Sequence, residues 1–262
     1  MKLFQNWRIR KPTEDNESVY ISEKFGVRTL HIGSDTIQSA MRVAHPNELE
    51  VAYTRSMMAF LLFNSDPRDV LMIGLGGGSL AKFIYHRLPR ARTVVIEVNP
   101  RVVAIARQFF HVSPDDERLR VIIADGASYI CNNDVRAEVI MVDGYDAEAQ
   151  VEALSTLSFY RDCARVLGEA GILVVNLWGG DRNFTACVER IAEAFNQRVA
   201  CLPAGKPGNV VVLAFKQSPG EPLWEDLSGR ARVLENELGL EFTKFVRELA
   251  LRNPRAQDRL LV

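Results

Sequence analysis

The sequence predicts an α/β fold in which a mostly parallel, Rossmann-like sheet with an antiparallel last strand follows a small antiparallel β domain. Three observations support this prediction. A glycine-rich βαβ pattern spans residues 70–99, a hairpin pattern lies near the amino terminus, and two β runs around residue 205 are joined by a loop too short for a helical crossover. We expect residues 1–45 to form the β domain and residues 46–262 the Rossmann-like domain.

The composition excludes several classes of protein. The chain has 262 residues, of which 47% are hydrophobic and 25% are charged, as in ordinary globular domains. A net charge of −1 gives no general attraction for nucleic acid or an anionic membrane. No apolar run approaches the ~20 residues of a membrane span, and the cysteines and histidines lack metal-ligand spacing. We therefore expect no metal and no nucleic-acid or membrane partner, and the lack of an apolar signal core favours the cytoplasm.

The amino-terminal part of the chain carries strand patterns. Residues 19–21 and 27–32 are β-type runs on either side of Lys24-Phe25-Gly26, where glycine can adopt the positive φ of a hairpin turn. A third strand is expected over residues 36–43. Such a small sheet must pack on another element. A helix with a broad apolar face is then predicted from Pro46 to Leu62.

The βαβ pattern contains three glycines directly after a continuous apolar strand. Gly74, Gly76 and Gly78 follow residues 70–73, and glycine there lets the backbone approach a ligand closely. The spacing is G-x-G-x-G, and position 79 holds serine where a dinucleotide fingerprint has glycine or alanine. This spacing favours an S-adenosylmethionine-type nucleoside site over a dinucleotide site.

The remaining pattern alternates helices and strands. Because the last two strands are joined by a short loop, they must be antiparallel, which is typical of the sheet of S-adenosylmethionine-dependent methyltransferases. Two helix-like segments form the tail. The expected strands are 94–99, 119–124, 138–142, 171–177, 198–202 and 209–215, and the expected helices are 100–110, 156–167, 181–195, 223–238 and 242–251.

Carboxylates stand at or just after three successive strand ends. They are Glu97, Asp125, Asp143 and, slightly later, Asp146. In an open α/β sheet, ligands bind outside the carboxyl ends of the strands, so these groups point to one crevice. Any one of them is explained equally well as a helix or turn cap. Four of them together with the glycine loop favour a ligand site, with Glu97 on the ribose, where a carboxylate roughly 20 residues beyond the loop is expected.

On these residues the chain resembles the spermidine synthase (polyamine aminopropyltransferase) family over nearly all of residues 18–215. The resemblance implies aminopropyl transfer from decarboxylated S-adenosylmethionine, as co-substrate, to putrescine or a related amine in polyamine biosynthesis. It further implies ribose on Glu97, adenine at Asp125-Gly126, and Asp143 as the catalytic acid/base.

The resemblance also assigns residues other than these carboxylates. Gln38 is similar to the family's glutamine that reaches the co-substrate from the β domain, and Tyr53 is similar to the tyrosine of its Tyr-His-Glu helix motif. We expect Tyr53, Tyr145 and Asp146 to bind the amine. A homodimer or homotetramer is expected.

Departures from the family pattern leave two alternatives open. Gly77 stands where the family's glycine loop has aspartate, and Thr54 and Arg55 stand where its helix motif has histidine and glutamate. Gly77 and Arg55 favour a methyltransferase that uses intact S-adenosylmethionine. The second alternative is a non-catalytic nucleoside-binding homologue.

Overall fold

The computed structural model describes residues 19–33, 37–144, 151–205, 208–256 and 258–262. The amino-terminal sheet is antiparallel, in the order β1-β2-β3, with β1 at Val19–Lys24, β2 at Val27–Ile32 and β3 at Ile37–Arg42. Phe25 and Gly26 both have positive φ, 54° and 74°, so the hairpin turn follows the right-handed strand twist. The predicted hairpin and third strand are confirmed, except that Thr36 lies outside the described residues.

The predicted helix start at Pro46 is wrong. Helix α1 covers Ala52–Met57 and continues as a 3-10 helix over Met58–Leu62, whereas residues 46–51 form turns and bends. The carbonyls of this segment are engaged by side chains: Pro46 O accepts from Lys82, and the carbonyls of Leu49 and Glu50 accept from Arg55. Leu49 is nevertheless buried, which explains why the segment carries an apolar pattern without being helical.

Helices and strands alternate in the part of the chain that follows. They are β4 Asp69–Ile73, α2 Ser79–Arg87, β5 Arg92–Glu97, α3 Pro100–Phe109, β6 Leu119–Ile123, α4 Gly126–Asn132, β7 Ala137–Val142, α5 Leu157–Val166, β8 Leu167–Trp178, α6 Phe184–Ala194, β9 Val199–Pro203, β10 Asn209–Phe215, α7 Trp224–Leu238 and α8 Phe242–Arg252.

Within the described residues, the main sheet has seven strands in the order β6-β5-β4-β7-β8-β10-β9. Strands β4 to β8 pair in parallel, and β10 pairs antiparallel with both β8 and β9. The predicted antiparallel last strand is therefore confirmed, and it lies inside the sheet, between β8 and β9.

Two apolar layers cover the main sheet. Helices α4, α5 and α6 bury residues such as Ile130, Tyr160 and Ile191 in one layer. The other layer contains α2, α3, α7 and α8, and the amino-terminal sheet contributes Leu30 and Met41 to it. The small sheet is thus packed on the main core, as its size requires. None of the described helices is long and apolar enough to cross a membrane.

Candidate active site

The glycine loop joins β4 to α2 at the point where the strand order reverses. Gly74, Gly76 and Gly78 have φ values of 95°, 52° and 69°, which L side chains rarely adopt. A Cβ on Gly74 would collide with the backbone oxygen of Asp143. Glycine at this position therefore lets the end of β4 lie directly against the residue that follows β7, which brings the loop and Asp143 into one crevice.

Glu97 is the last residue of β5 and is 8% exposed. Its Oε2 accepts a hydrogen bond from Leu75 N in the glycine loop at 2.9 Å, and its Oε1 accepts one from Asn99 N at 2.9 Å. The carboxylate thus holds the glycine loop beside β5, a structural role that the sequence did not reveal. Each carboxylate oxygen accepts up to two hydrogen bonds, so these contacts leave capacity for ribose hydroxyls, and the ribose assignment stays a prediction.

Asp125 and Gly126 lie where β6 leads into α4. Asp125 is exposed and caps α4, since its Oδ1 accepts from Ser128 N at 2.7 Å. Gly126 is buried, and a Cβ on it would lie 2.5 Å from Cγ2 of Ile73, so glycine allows α4 to begin against β4. Both residues therefore have local structural roles, and the adenine assignment stays a prediction.

Two exposed apolar residues beside these carboxylates were missed from the sequence. Val98 follows Glu97 and is 66% exposed, and Ile123, which pairs with Glu97 across the sheet, is 56% exposed. Large apolar side chains at the crevice end of the sheet offer a surface to a flat ring such as adenine. The sequence signal that could have identified them was an apolar residue within two positions of a strand-end carboxylate.

Asp143 directly follows β7, and side chains from two other elements hold its carboxylate. Tyr53 of α1 donates its hydroxyl to Oδ2 at 3.0 Å, and Asn176 of β8 donates Nδ2 to Oδ1 at 2.9 Å. The residue is partly exposed, but burial of the carboxyl group raises its pKa, and the hydrogen bonds from Asn176 and Tyr53 act in the opposite direction. Asp143 is therefore a carboxylate whose capacity to accept a proton is increased.

The predicted residues Gln38, Tyr53 and Asp143 lie together. The carbonyl oxygen of Gln38 is 3.4 Å from the Tyr53 hydroxyl, which in turn donates to Asp143. Tyr145 and Asp146 lie outside the described residues, so their assignments to the amine stay predictions. Asn176 was missed from the sequence, although an asparagine within a buried apolar run was a usable signal.

The residues at the departures from the family pattern have specific environments. A Cβ on Gly77 would lie 2.7 Å from Oγ of Ser39 and 2.9 Å from Cδ1 of Phe110, so these side chains fill the space that a larger residue would need. Arg55 donates Nε to both carboxylate oxygens of Glu241, at 3.1 and 3.0 Å. Together with its bonds to two carbonyls in residues 46–51, this ion pair gives Arg55 a structural role, so Arg55 no longer favours the methyltransferase alternative.

The strand order and the crevice define a class of protein: Rossmann-like α/β proteins with the methyltransferase-type sheet. Within the described residues, no group of three or more histidine, cysteine or acidic side chains is arranged to hold a metal ion.

Comparisons with known proteins specify the family. A family model described as "Spermine/spermidine synthase domain" matches residues 50–198. The polyamine aminopropyltransferase of Chromobacterium violaceum is 44% identical over 97% of this chain and 98% of that protein. The chain therefore belongs to the spermine/spermidine synthase family, a family of transferases.

Solved structures show the same fold. A spermidine synthase in complex with the transition-state analogue AdoDATO has a TM-score of 0.71 at 21% identity, covering 93% of this chain and 88% of that one. Human methyltransferase-like protein 13 in complex with SAH has a TM-score of 0.66 at 22% identity, covering 79% of this chain and 95% of that one.

Proposed function

We propose that this chain is a polyamine aminopropyltransferase that transfers the aminopropyl group of decarboxylated S-adenosylmethionine to putrescine or a related amine. The observation that carries the proposal is the Asp143 carboxylate, held by Tyr53 and Asn176 beside the glycine loop. The family membership supports it, as does the name of the Chromobacterium violaceum relative, which matches this chain along nearly its whole length.

The crevice provides a surface for each part of the co-substrate. Glu97 would bind the ribose, Asp125 and Gly126 the adenine, and the exposed Val98 and Ile123 offer an apolar surface for the ring. Gln38 would reach the co-substrate from the amino-terminal sheet. The backbone of the glycine loop, at Gly74, Gly76 and Gly78, would approach it most closely.

The reaction requires a neutral amine. A diamine resembles lysine, whose pKa is about 10, so it arrives protonated. The Asp143 carboxylate would attract the ammonium and then accept its proton, and burial favours this transfer because it raises the pKa of Asp143 towards that of the amine. The lone pair of the neutral amine nitrogen then attacks the aminopropyl carbon that is bonded to the sulfonium sulfur. As the C–N bond forms, the C–S bond breaks, and its electron pair stays on the sulfur, which leaves as a neutral thioether.

Alignment of amine, carbon and sulfur would supply a large part of the rate. Tyr53 would contact both Asp143 and the incoming amine, while Tyr145 and Asp146 would hold the far part of the amine. Variants of the residues assigned to the amine should therefore weaken amine binding, and variants of the residues assigned to the co-substrate should weaken co-substrate binding.

The direct test is product analysis by mass spectrometry. Purified protein with decarboxylated S-adenosylmethionine and putrescine should form methylthioadenosine and spermidine in equal amounts. Asp143→Asn should lower kcat by about 10² to 10⁴, the usual contribution of a positioned base, while nucleoside affinity changes little. Absence of both products with the wild-type protein would contradict the proposal, and full turnover by Asp143→Asn would remove Asp143 from its role.

A methyltransferase that uses intact S-adenosylmethionine is the second candidate. Gly77 carries no carboxylate, Ser39 and Phe110 fill the space around it, and the first turn of α2 contains no acidic residue. A helix amino terminus attracts a carboxylate such as the one that intact S-adenosylmethionine retains. Calorimetric titration with both compounds separates the candidates: tighter binding of the intact compound, with methyl transfer to an acceptor, would favour the methyltransferase.

We further propose a cytoplasmic protein, a division into domains after residue 45, and a homodimer or homotetramer that needs no nucleic acid or membrane. All four cysteines are free thiols, which is usual in a reducing compartment.

Phe25 and Ile37, at opposite ends of the amino-terminal sheet, are 89% and 57% exposed, and an assembly that covers this sheet would bury both. Light scattering tests the assembly, and a monomeric mass at working concentration would contradict it.

A further inference from the structure

Two asparagine amides form a relay that ends on Asp143. Asn209 is the first residue of β10, and it donates Nδ2 to Oδ1 of Asn176 at 3.0 Å. Asn176 donates its own Nδ2 to Oδ1 of Asp143 at 2.9 Å. Strands β8 and β10 pair antiparallel with Val211 opposite Asn176, which places Asn209 diagonally across from Asn176 on the same face.

The direction of the Asn176 amide decides what Asp143 contacts. Only the NH₂ end of an amide donates, so the reversed amide would place Oδ1 of Asn176 against the Asp143 carboxylate, acceptor against acceptor. Asn209 favours the observed direction, because its Nδ2 donates to the oxygen of Asn176 and this hydrogen bond would be lost on reversal. Asn176 is 2% exposed, so bulk water does not replace a lost partner.

We propose that Asn209 is a positioning residue for the transfer reaction: it fixes the Asn176 amide so that Nδ2 donates to Asp143 and keeps this carboxylate ionised and aligned. The inference rests on the proposed function, in which Asp143 is the base. Among the described residues, Asn209 makes no hydrogen bond to Asp143 and acts through Asn176.

The pH dependence of the reaction reports this role. The elements around Asp143 contribute Tyr53 from α1, Asn176 from β8 and the Gly74 backbone from β4. Tyr53 is the titratable side chain among these contacts. Loss of the Asn176 hydrogen bond removes stabilisation of the charged form, so the pKa of Asp143 rises further and the acidic limb of kcat/KM moves to higher pH.

A double-mutant cycle tests the relay. Asn209→Leu removes the donor without adding charge, and we expect it to shift the acidic limb of kcat/KM upwards by about one pH unit, the equivalent of one hydrogen bond to a charged group. Asn176→Leu should give a similar shift. The double variant should shift no further than Asn176→Leu alone, because Asn209 acts only through Asn176. Additive shifts, or lower kcat with an unmoved limb, would overturn the proposal.

Two further measurements keep the test independent of folding defects and of the proposed reaction. Asn64→Leu removes an amide near the opposite, amino-terminal end of β4 and should leave the limb unchanged, and Asn209→Ser provides a smaller variant if Asn209→Leu does not fold. Carbon-13 NMR of labelled aspartate, with Asp143→Asn identifying the resonance, follows the titration of Asp143 directly. If the wild-type protein transfers no aminopropyl group, the proposed function fails, yet the NMR shift in Asn209→Leu still supports the relay and its absence overturns it.

Discussion

Replacing the buried Lys82 of α2 should remove a defined pH dependence of stability. Lys82 is 2% exposed, and its Nζ donates to the carbonyls of Pro46 and Phe110, each at 2.6 Å, and contacts Sδ of Met41 at 3.2 Å. It thus links the amino-terminal sheet, the segment before α1 and the end of α3. Because the described contacts include no carboxylate, burial lowers the pKa of Lys82 from 10.5 to about 8.

The sign and size of the effect follow from proton linkage. Between about pH 8 and 10.5 the unfolded chain holds a proton on Lys82 that the folded protein has released, so the free energy of unfolding rises with pH. The full gain is about 3 kcal/mol, because each unit of pKa difference corresponds to about 1.4 kcal/mol. By pH 9.5 it is about 2 kcal/mol.

Urea unfolding of the wild-type protein and Lys82→Met from pH 7 to 10 measures this gain. The difference in unfolding free energy between the two proteins should grow by about 2.5 kcal/mol in favour of the wild type over this range. Taking the difference cancels the titration of tyrosines and cysteines that both proteins share. Lys24→Met, at an exposed lysine, is the matched control and should show no such growth. A difference that stays flat with pH would refute the assignment of Lys82 as a buried, unpaired cation.

Three further changes have expected outcomes. Tyr53→Phe removes a hydrogen bond to Asp143, so kcat/KM at neutral pH should fall roughly tenfold and the acidic limb of the profile should move to higher pH; an unchanged profile would contradict the contact. Gly126→Ala should lower the unfolding free energy by about 1 to 3 kcal/mol, because the new methyl group meets Ile73, and in urea unfolding the double variant with Ile73→Ala should lose less than the sum of the two single losses. Gly77→Asp should lower the melting temperature and should not raise the affinity for decarboxylated S-adenosylmethionine in calorimetry, because Ser39 and Phe110 occupy the space around Gly77. A variant that binds this compound more tightly and is as stable as the wild type would contradict this reasoning.

The strands were predictable because their patterns are local. A buried parallel strand is apolar on both faces, and each predicted run of the main sheet corresponds to an observed strand. The antiparallel position of β10 followed from the length of one loop. The helix start at Pro46 was wrong because Arg55 and Lys82 engage the carbonyls of that segment, and such long-range contacts leave no periodic signal.

In the candidate site, the positions of the carboxylates were predictable from the sequence, but their hydrogen-bond partners were not. Strand-end positions indicated where Glu97 and Asp143 would lie, because the carboxyl ends of parallel strands open into one crevice. The contacts of these groups were not predictable: Glu97 binds the glycine loop, and Asp143 is held by Tyr53 and Asn176. Each of these contacts joins residues that are at least 22 positions apart in the chain and share no local pattern.

The sequence by itself thus determined the fold class, the glycine loop and the family resemblance, because these depend on local periodicity and on short motifs. The tertiary structure decided that Arg55 pairs with Glu241, that Ser39 and Phe110 close the space at Gly77, and that Asn209 reaches Asn176. The physical reason is that an apolar period reports which residues are buried, whereas the partner of a polar group depends on which strands and helices the fold brings together.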